Sequence, residues 1–183
     1  MQYIYAPKYV NAGLMLLTAI KLGGNKGLRD GRWGYPLLAL FTLLESVSVG
    51  TYASFFKGST VTLAAAMTGV TVAGMTAYAM RPGKENDMTA RGQMLHGSLW
   101  GLFAMGIAGF FVRDKWLQLA YSWAGCILFS GFLVFDTQRV MGGKQRQNVL
   151  SPDDPIAGAM ELYLDVVILF QHILRLLGSG DDR

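Results

Sequence analysis

The sequence predicts an all-α protein, a polytopic transmembrane helix bundle with six spans. Three observations carry that prediction. The 183 residues are 52% hydrophobic and only 15% charged, with a mean hydropathy of +0.32, whereas a soluble domain runs at roughly 45–50% apolar and about 25% charged. The charges gather in short clusters between long uncharged stretches. Those stretches are continuously apolar, which argues helix, since transmembrane strands alternate over about ten residues. The same numbers exclude a disordered chain and argue against an ordinary soluble enzyme.

A helix needs about 20 apolar residues to cross the hydrocarbon core, and six stretches qualify in order. Residues 9–22 form a short first span with Lys21 at its end. Residues 33–56 hold one charge, Glu45, at mid-span, and residues 59–80 hold none. In 92–112 the one titratable group is His96. Residues 116–140 run uncharged to Asp136, and 156–177 carry Glu161, Asp165, His172 and Arg175. No linker suggests a second domain. The segment Gly142-Gly143 followed by Ser151-Pro152-Asp153-Asp154-Pro155 reads as a helix end, a turn and a new helix start. There Asp153 and Asp154 suit the positive end of the helix dipole.

The net charge of +4 belongs to loop residues that set topology rather than to a nucleic-acid stripe. Loops after spans one, three and five hold Lys26, Arg29, Arg32, Arg81, Lys84, Arg91, Arg139, Lys144 and Arg146, nine basic residues. The other side has six: Lys8, Lys57, Arg113, Lys115, Arg175 and Arg183. The positive-inside rule puts the nine in the cytoplasm. The apolar start lacks a small-residue cleavage site and reads as a membrane segment rather than a removable leader. Cys126, the single cysteine, reads as a small buried hydrophobe. Two histidines and one cysteine give no metal spacing. Ala65, Gly69, Ala73 and Ala77, and Gly97 with Gly101, form small-xxx-small faces, expected to pack helices inside one chain. Trp33, Trp100, Trp116 and Trp123 read as interface anchors or packing.

Ionisable groups within spans are the informative feature, because each costs at least a few kcal/mol at the bilayer centre unless paired, neutral or wetted. Glu161, Asp165, Ile168, His172 and Arg175 recur at helical spacing, so one face of the last helix carries nearly all its polar groups. Asp165 lies on the order of 15 Å along the axis from Pro155. Asp136 is its natural partner, near the end of the preceding, antiparallel helix. Two carboxylates in one dry site hold one proton between them, which makes a pH-sensitive latch and a cation site. The plainer alternative has Asp136 capping a wet helix end near Arg139. Glu45 reads either as part of a polar cavity or as a neutral acid bonded to a neighbouring helix. His96 reads as interfacial. Lys21 either snorkels or reaches inward to a carboxylate.

The stretch Phe135-Asp136-Thr137-Gln138-Arg139 and the stretch Glu161-Leu162-Tyr163-Leu164-Asp165-Val166-Val167-Ile168-Leu169-Phe170, with Leu174-Arg175, resemble the signature of the Bax inhibitor-1 (transmembrane Bax inhibitor motif) family. Residues 41–50 and the pieces Gly74-Met75-Thr76-Ala77-Tyr78 and Leu99-Trp100-Gly101-Leu102 are similar to further family segments. The resemblance implies a seven-helix bundle that leaks calcium in a pH-dependent way and, in eukaryotes, is associated with suppressing cell death. It maps the family's paired aspartates onto Asp136 and Asp165, and its latching basic residue onto Lys21. The six spans match the family's helices two to seven, so the expectation is a chain lacking the first. Ser46 and Ile168 replace a family glycine and asparagine, and Gln171 and His172 add polarity.

The leading expectation is thus a pH-sensitive calcium leak channel, not an enzyme. Asp136 and Asp165 sense pH and hold calcium in transit, while Lys21, Glu45, Arg139, Glu161, His172 and Arg175 serve the pore or latch. No cofactor is expected beyond calcium as permeant ion. Partners are membrane lipid, calcium and protons, with a membrane protein as a further candidate and no nucleic acid. The location is the plasma membrane in a prokaryote, or the endoplasmic reticulum or another organelle membrane in a eukaryote. The alternative is a non-catalytic modulator of a protease or cell-death partner. An intramembrane aspartyl protease ranks below both, because Tyr163-Leu164-Asp165 lacks the glycines such enzymes need.

Overall fold

The computed structural model describes residues 17–19, 24–81, 83, 86–112, 114–142, 149–150 and 154–179. Its helices are α1 (Lys26–Asp30), α2 (Gly34–Ala53), α3 (Gly58–Ala79), a 3-10 turn η1 (Met88–Arg91), α4 (Gly92–Phe111), α5 (Lys115–Met141) and α6 (Pro155–Gly178). Among the described residues there is no strand. Four helices, α2, α3, α5 and α6, are long and apolar enough to cross a membrane. Helix α4 has 20 residues, about 30 Å at 1.5 Å per residue, and covers the expected span 92–112. The expected first span, 9–22, lies almost wholly outside the described residues, and Lys21 with it.

The helices show how such sequences satisfy themselves without water. In α2, Ser46 and Thr51 donate their hydroxyls to the carbonyls of Thr42 and Val47, both at 2.7 Å. In α3, Thr62, Thr68 and Thr71 do the same to Gly58, Ala64 and Met67 at 2.7–3.0 Å. This back-bonding to the i−4 carbonyl lets a hydroxyl sit in an apolar span with its donor satisfied. The starts of α1, η1 and α5 are capped by the side chains of Asn25, Asp87 and Asp114. Asp114 accepts from Leu117 N at 3.0 Å at the start of α5. Gly142 closes α5 with φ +64°, a left-handed turn that suits glycine.

By internal contacts the chain groups into two compact units, residues 1–56 with 151–160, and residues 57–150 with 161–183. In the first, α1 packs against α2. Arg29 at the end of α1 grips Asp154, its Nε donating at 3.0 and 2.9 Å and its Nη2 at 2.7 Å. Asp154 also caps α6 by accepting from Ala157 N at 3.2 Å. Gly34 fits there because a Cβ would strike the Arg29 carbonyl and Ile156.

In the second unit α5 is the central element, packed by α3, α4 and η1, and its residues 132–138 are all buried. The small-residue faces behave differently from the expectation. Ala65, Gly69, Ala73 and Ala77 are exposed, and nothing among the described residues lies within 4 Å of a Cβ placed at Gly69, Gly97 or Gly101. The contact face of α3 is displaced by one residue, to the buried Ala64 and Thr68. Ala65 and Gly69 instead border an open apolar groove of about 350 Å³ with Val166, Val167 and Phe170 of α6. Close approach occurs at Gly92, Gly106, Gly125 and Gly131, whose added Cβ atoms would meet Phe135, Tyr121, His172 and Leu95.

Candidate functional site: a carboxylate seam between α5 and α6

The second unit brings together the polar residues of α5 and α6. Reading up α5 and down α6, Tyr121 faces Arg175, Gly125 faces His172, Asp136 faces Asp165 and Arg139 faces Glu161. This order is that of two antiparallel helices in continuous register. The 3.6-residue repeat that puts Glu161, Asp165, His172 and Arg175 on one stripe is what aligns them all with one neighbour.

At the centre of the seam the carboxyl groups of Asp136 and Asp165 lie within hydrogen-bonding reach of each other. They are 6% and 5% exposed. Asp136 is therefore not a wet helix cap: α5 continues past it to Met141. Asp165 Oδ2 is buried, and among the described residues no donor reaches it. An ionised carboxylate is acceptor-only, so two of them in contact leave lone pairs facing lone pairs until a proton or a cation comes between. His96 of α4 is within electrostatic reach of Asp136. It is exposed, its Nδ1 2.8 Å from the Gly92 carbonyl, and its ring meets Phe132 and Phe135 edge-on.

One turn further on, Arg139 joins both helices. Its Nη1 donates to Asp136 Oδ1 at 3.1 Å and to Glu161 Oε2 at 2.8 Å, and its guanidinium carbon stands 5.4 Å from the Phe135 ring centroid. In the other direction His172 is buried against Tyr121 and Phe129, with ring centroids 5.0 and 5.9 Å away. Its Nδ1 is buried with no partner among the described residues. The imidazole edge lies on Gly125, where any Cβ would overlap it. Arg175 covers the Tyr121 ring at 5.2 Å. Among the described residues no three His, Cys, Asp or Glu side chains gather as a resident metal site.

The sequence-derived site residues thus divide. Asp136, Asp165, Arg139, Glu161, His172 and Arg175 share one seam. Glu45 belongs to the first unit, where it is 6% exposed and its buried Oε2 has no partner among the described residues. Lys21 and Asp153 lie outside the described residues. Cys126 is half-buried rather than buried.

Sequence reasoning did not single out Gln138, which is fully buried on α5. It accepts from Met88 N at 2.8 Å and donates to the carbonyls of Asn86 at 2.8 Å and Ala79 at 3.4 Å. One amide so ties the end of α3, the following loop and η1 to the residue next but one to Asp136. Asp87 completes that turn by accepting from Thr89 N at 2.9 Å and Thr89 Oγ1 at 2.5 Å. The available signal was a long polar side chain placed one turn before a helix end, opposite a polar loop. The Arg29–Asp154 pair was also missed, although each residue stood out separately as a loop charge.

A family profile described as "Inhibitor of apoptosis-promoting Bax1" matches residues 6–182. The chain belongs to the Bax inhibitor family. It is a polytopic α-helical membrane protein, with four helices long and apolar enough to cross a membrane. Its curated relatives include protein lifeguard 3 of Mus musculus, 31% identical over 186 aligned residues that cover 94% of this chain and 56% of that protein. The Golgi anti-apoptotic protein of vaccinia virus strain Lister is 31% identical over 147 residues, 80% of this chain and 59% of the viral protein. Bax inhibitor 1 of Saccharomyces cerevisiae is 31% identical over 153 residues, 80% of this chain and 50% of the yeast protein. The chain therefore spans 50–59% of the length of these relatives. As a family member it carries Asp136 and Asp165 within the matched region.

Proposed function

We propose that the chain forms a pH-sensitive calcium leak in which the Asp136–Asp165 pair is the gate. The observation that carries the proposal is the meeting of these two buried carboxyl groups, with one Asp165 oxygen that no donor among the described residues reaches. With one proton between them the carboxyls hydrogen-bond and hold α5 against α6. Without it, two negative charges in a poorly solvated seam repel, and either the helices part or a cation is admitted. Calcium is a hard ion that prefers carboxylate and carbonyl oxygens, which the seam supplies.

Reconstitution into liposomes loaded with a calcium dye tests this. Calcium entry by the wild type is expected to change with pH, and Asp165→Asn is expected to remove that dependence. Flux that responds neither to pH nor to Asp165→Asn rules the gate out.

A second reading is favoured by the descriptions of the relatives, one of which is named an anti-apoptotic protein. In it the chain is a membrane modulator of cell death acting through a protein partner. A stoichiometric membrane partner recovered with the protein, together with absent liposome flux, selects this reading over the leak.

A further inference from the structure

Arg139 stands where a cation entering the seam would stand. A single nitrogen, Nη1, bridges Asp136 Oδ1 on α5 and Glu161 Oε2 on α6. Two carboxyl groups, those of Asp136 and Glu161, meet this one guanidinium, and Asp165 joins the cluster through Asp136. The exposure of the side chains falls along the cluster, from 31% at Glu161 to 24% at Arg139 and 8% at Asp136. Asp165 is as deeply buried as Asp136, and among the described residues no donor reaches its Oδ2. The cluster therefore has a more exposed end, formed by Arg139 and Glu161, and a buried end at the aspartates.

We propose that Arg139 is a tethered counter-ion: it occupies the carboxylate oxygens through which a divalent cation reaches Asp165, so that cation entry requires its displacement from Glu161 and Asp136. The proposal rests on the leak reading only for what the cation does next. A guanidinium binds these oxygens through directional, charge-assisted hydrogen bonds. A hard divalent ion takes the same oxygens with twice the charge but must first break both contacts. Arg139 would then set how much calcium is needed to enter. Glu161 is the first carboxylate the ion meets, and Phe135 keeps the guanidinium close for its return.

The test measures calcium binding by the full chain in detergent micelles at one pH, by titration calorimetry with calcium alone, beside dye-reported entry into liposomes. Arg139→Gln is expected to tighten calcium binding by about tenfold or more, a free-energy change of roughly 1.4 kcal/mol. Arg139→Lys keeps the charge but loses the planar fork, and should fall between. Adding Glu161→Gln to Arg139→Gln should bring affinity back toward the wild type. Arg139→Gln protein that keeps its helical spectrum and thermal midpoint, yet binds calcium no tighter than wild type, overturns the proposal. If that variant does not fold, Glu161→Gln alone decides: it should weaken calcium binding, and unchanged binding overturns the idea. Absent flux in the wild type would end the leak reading, while the binding comparison still decides the role of Arg139.

Discussion

Gln138 and Gly125 show what single residues contribute beside the aspartates. Replacing Gln138 by Leu keeps the bulk but strands the Met88 N–H and the Asn86 carbonyl, which it pairs at 2.8 Å. Each buried group left without a partner costs about 1–3 kcal/mol. The expected loss for the two groups is therefore about 2–6 kcal/mol, read as a lower unfolding midpoint in mixed micelles; an unchanged midpoint would show that water replaces the amide. Gly125→Ala places a methyl group into the His172 ring, and overpacking of this kind costs about 1–3 kcal/mol. His172→Ala in the same chain should restore most of that loss, since the clash is with this one ring; simple additivity of the two effects would contradict the contact. The carboxylates were legible in the sequence because a charge in a span is expensive and stands out. Gln138 was not, because an amide near a helix end is ordinary and its partners lie 50 to 59 positions away.

Among the elements, the long apolar helices and the polar stripe of α6 were legible, since both follow from periodicity along one segment. What each stripe faces was legible only for α5 and α6, where one loop makes neighbours. The small-residue faces of α3 and α4 were misjudged for the complementary reason: a small-xxx-small pattern permits close approach but does not specify a partner. The start of α6 depends on a pairing 125 positions distant, Arg29 with Asp154, which no local pattern announces. The hydrogen bonds from Arg29, and then that from the Ala157 N–H, hold the Asp154 carboxyl below the usual carboxylate range, against the opposing effect of burial. A carboxyl whose value is lowered on folding stabilises the folded state fully above its unfolded value, about 3.9. That stabilisation is lost as pH falls through the lower folded value. Hydrogen exchange at the first turn of α6 is therefore expected to stay slow from neutral pH down to about 4, once corrected for the intrinsic rate, and to accelerate below it. Asp154→Asn should show the faster exchange already at neutral pH. Arg29→Ala, which leaves the Asp154 carboxylate with the Ala157 N–H but without its charge-assisted bonds, should cost about 1.5–3 kcal/mol. Slow exchange in Asp154→Asn at neutral pH would remove the pair from any role in holding α6.

For the whole molecule, membrane sidedness follows from charge placement rather than from any one contact. The loop between α3 and α4 carries Arg81, Lys84 and Arg91, while α3 is preceded by Lys57 alone and α5 by Arg113 and Lys115. Counted over all loops the split is nine basic residues to six, and short-loop Lys and Arg are what the insertion machinery reads. The loop holding Asn86 should then be cytoplasmic and Lys57 should face the opposite side. Cys126 is the single cysteine, so a Cys126→Ser background makes the test clean. In intact cells a membrane-impermeant maleimide, applied from the non-cytoplasmic side, should label Lys57→Cys at once and Asn86→Cys only after permeabilisation. The reverse pattern would invert the bundle and place the Arg139–Glu161 end of the seam, with Gly142 just beyond it, on the non-cytoplasmic side. That distinction bears on the gate. Arg139 and Glu161 form the more exposed end of the carboxylate cluster, so sidedness decides whether the pair Asp136–Asp165 answers to the pH and calcium of the cytoplasm or of the opposite compartment.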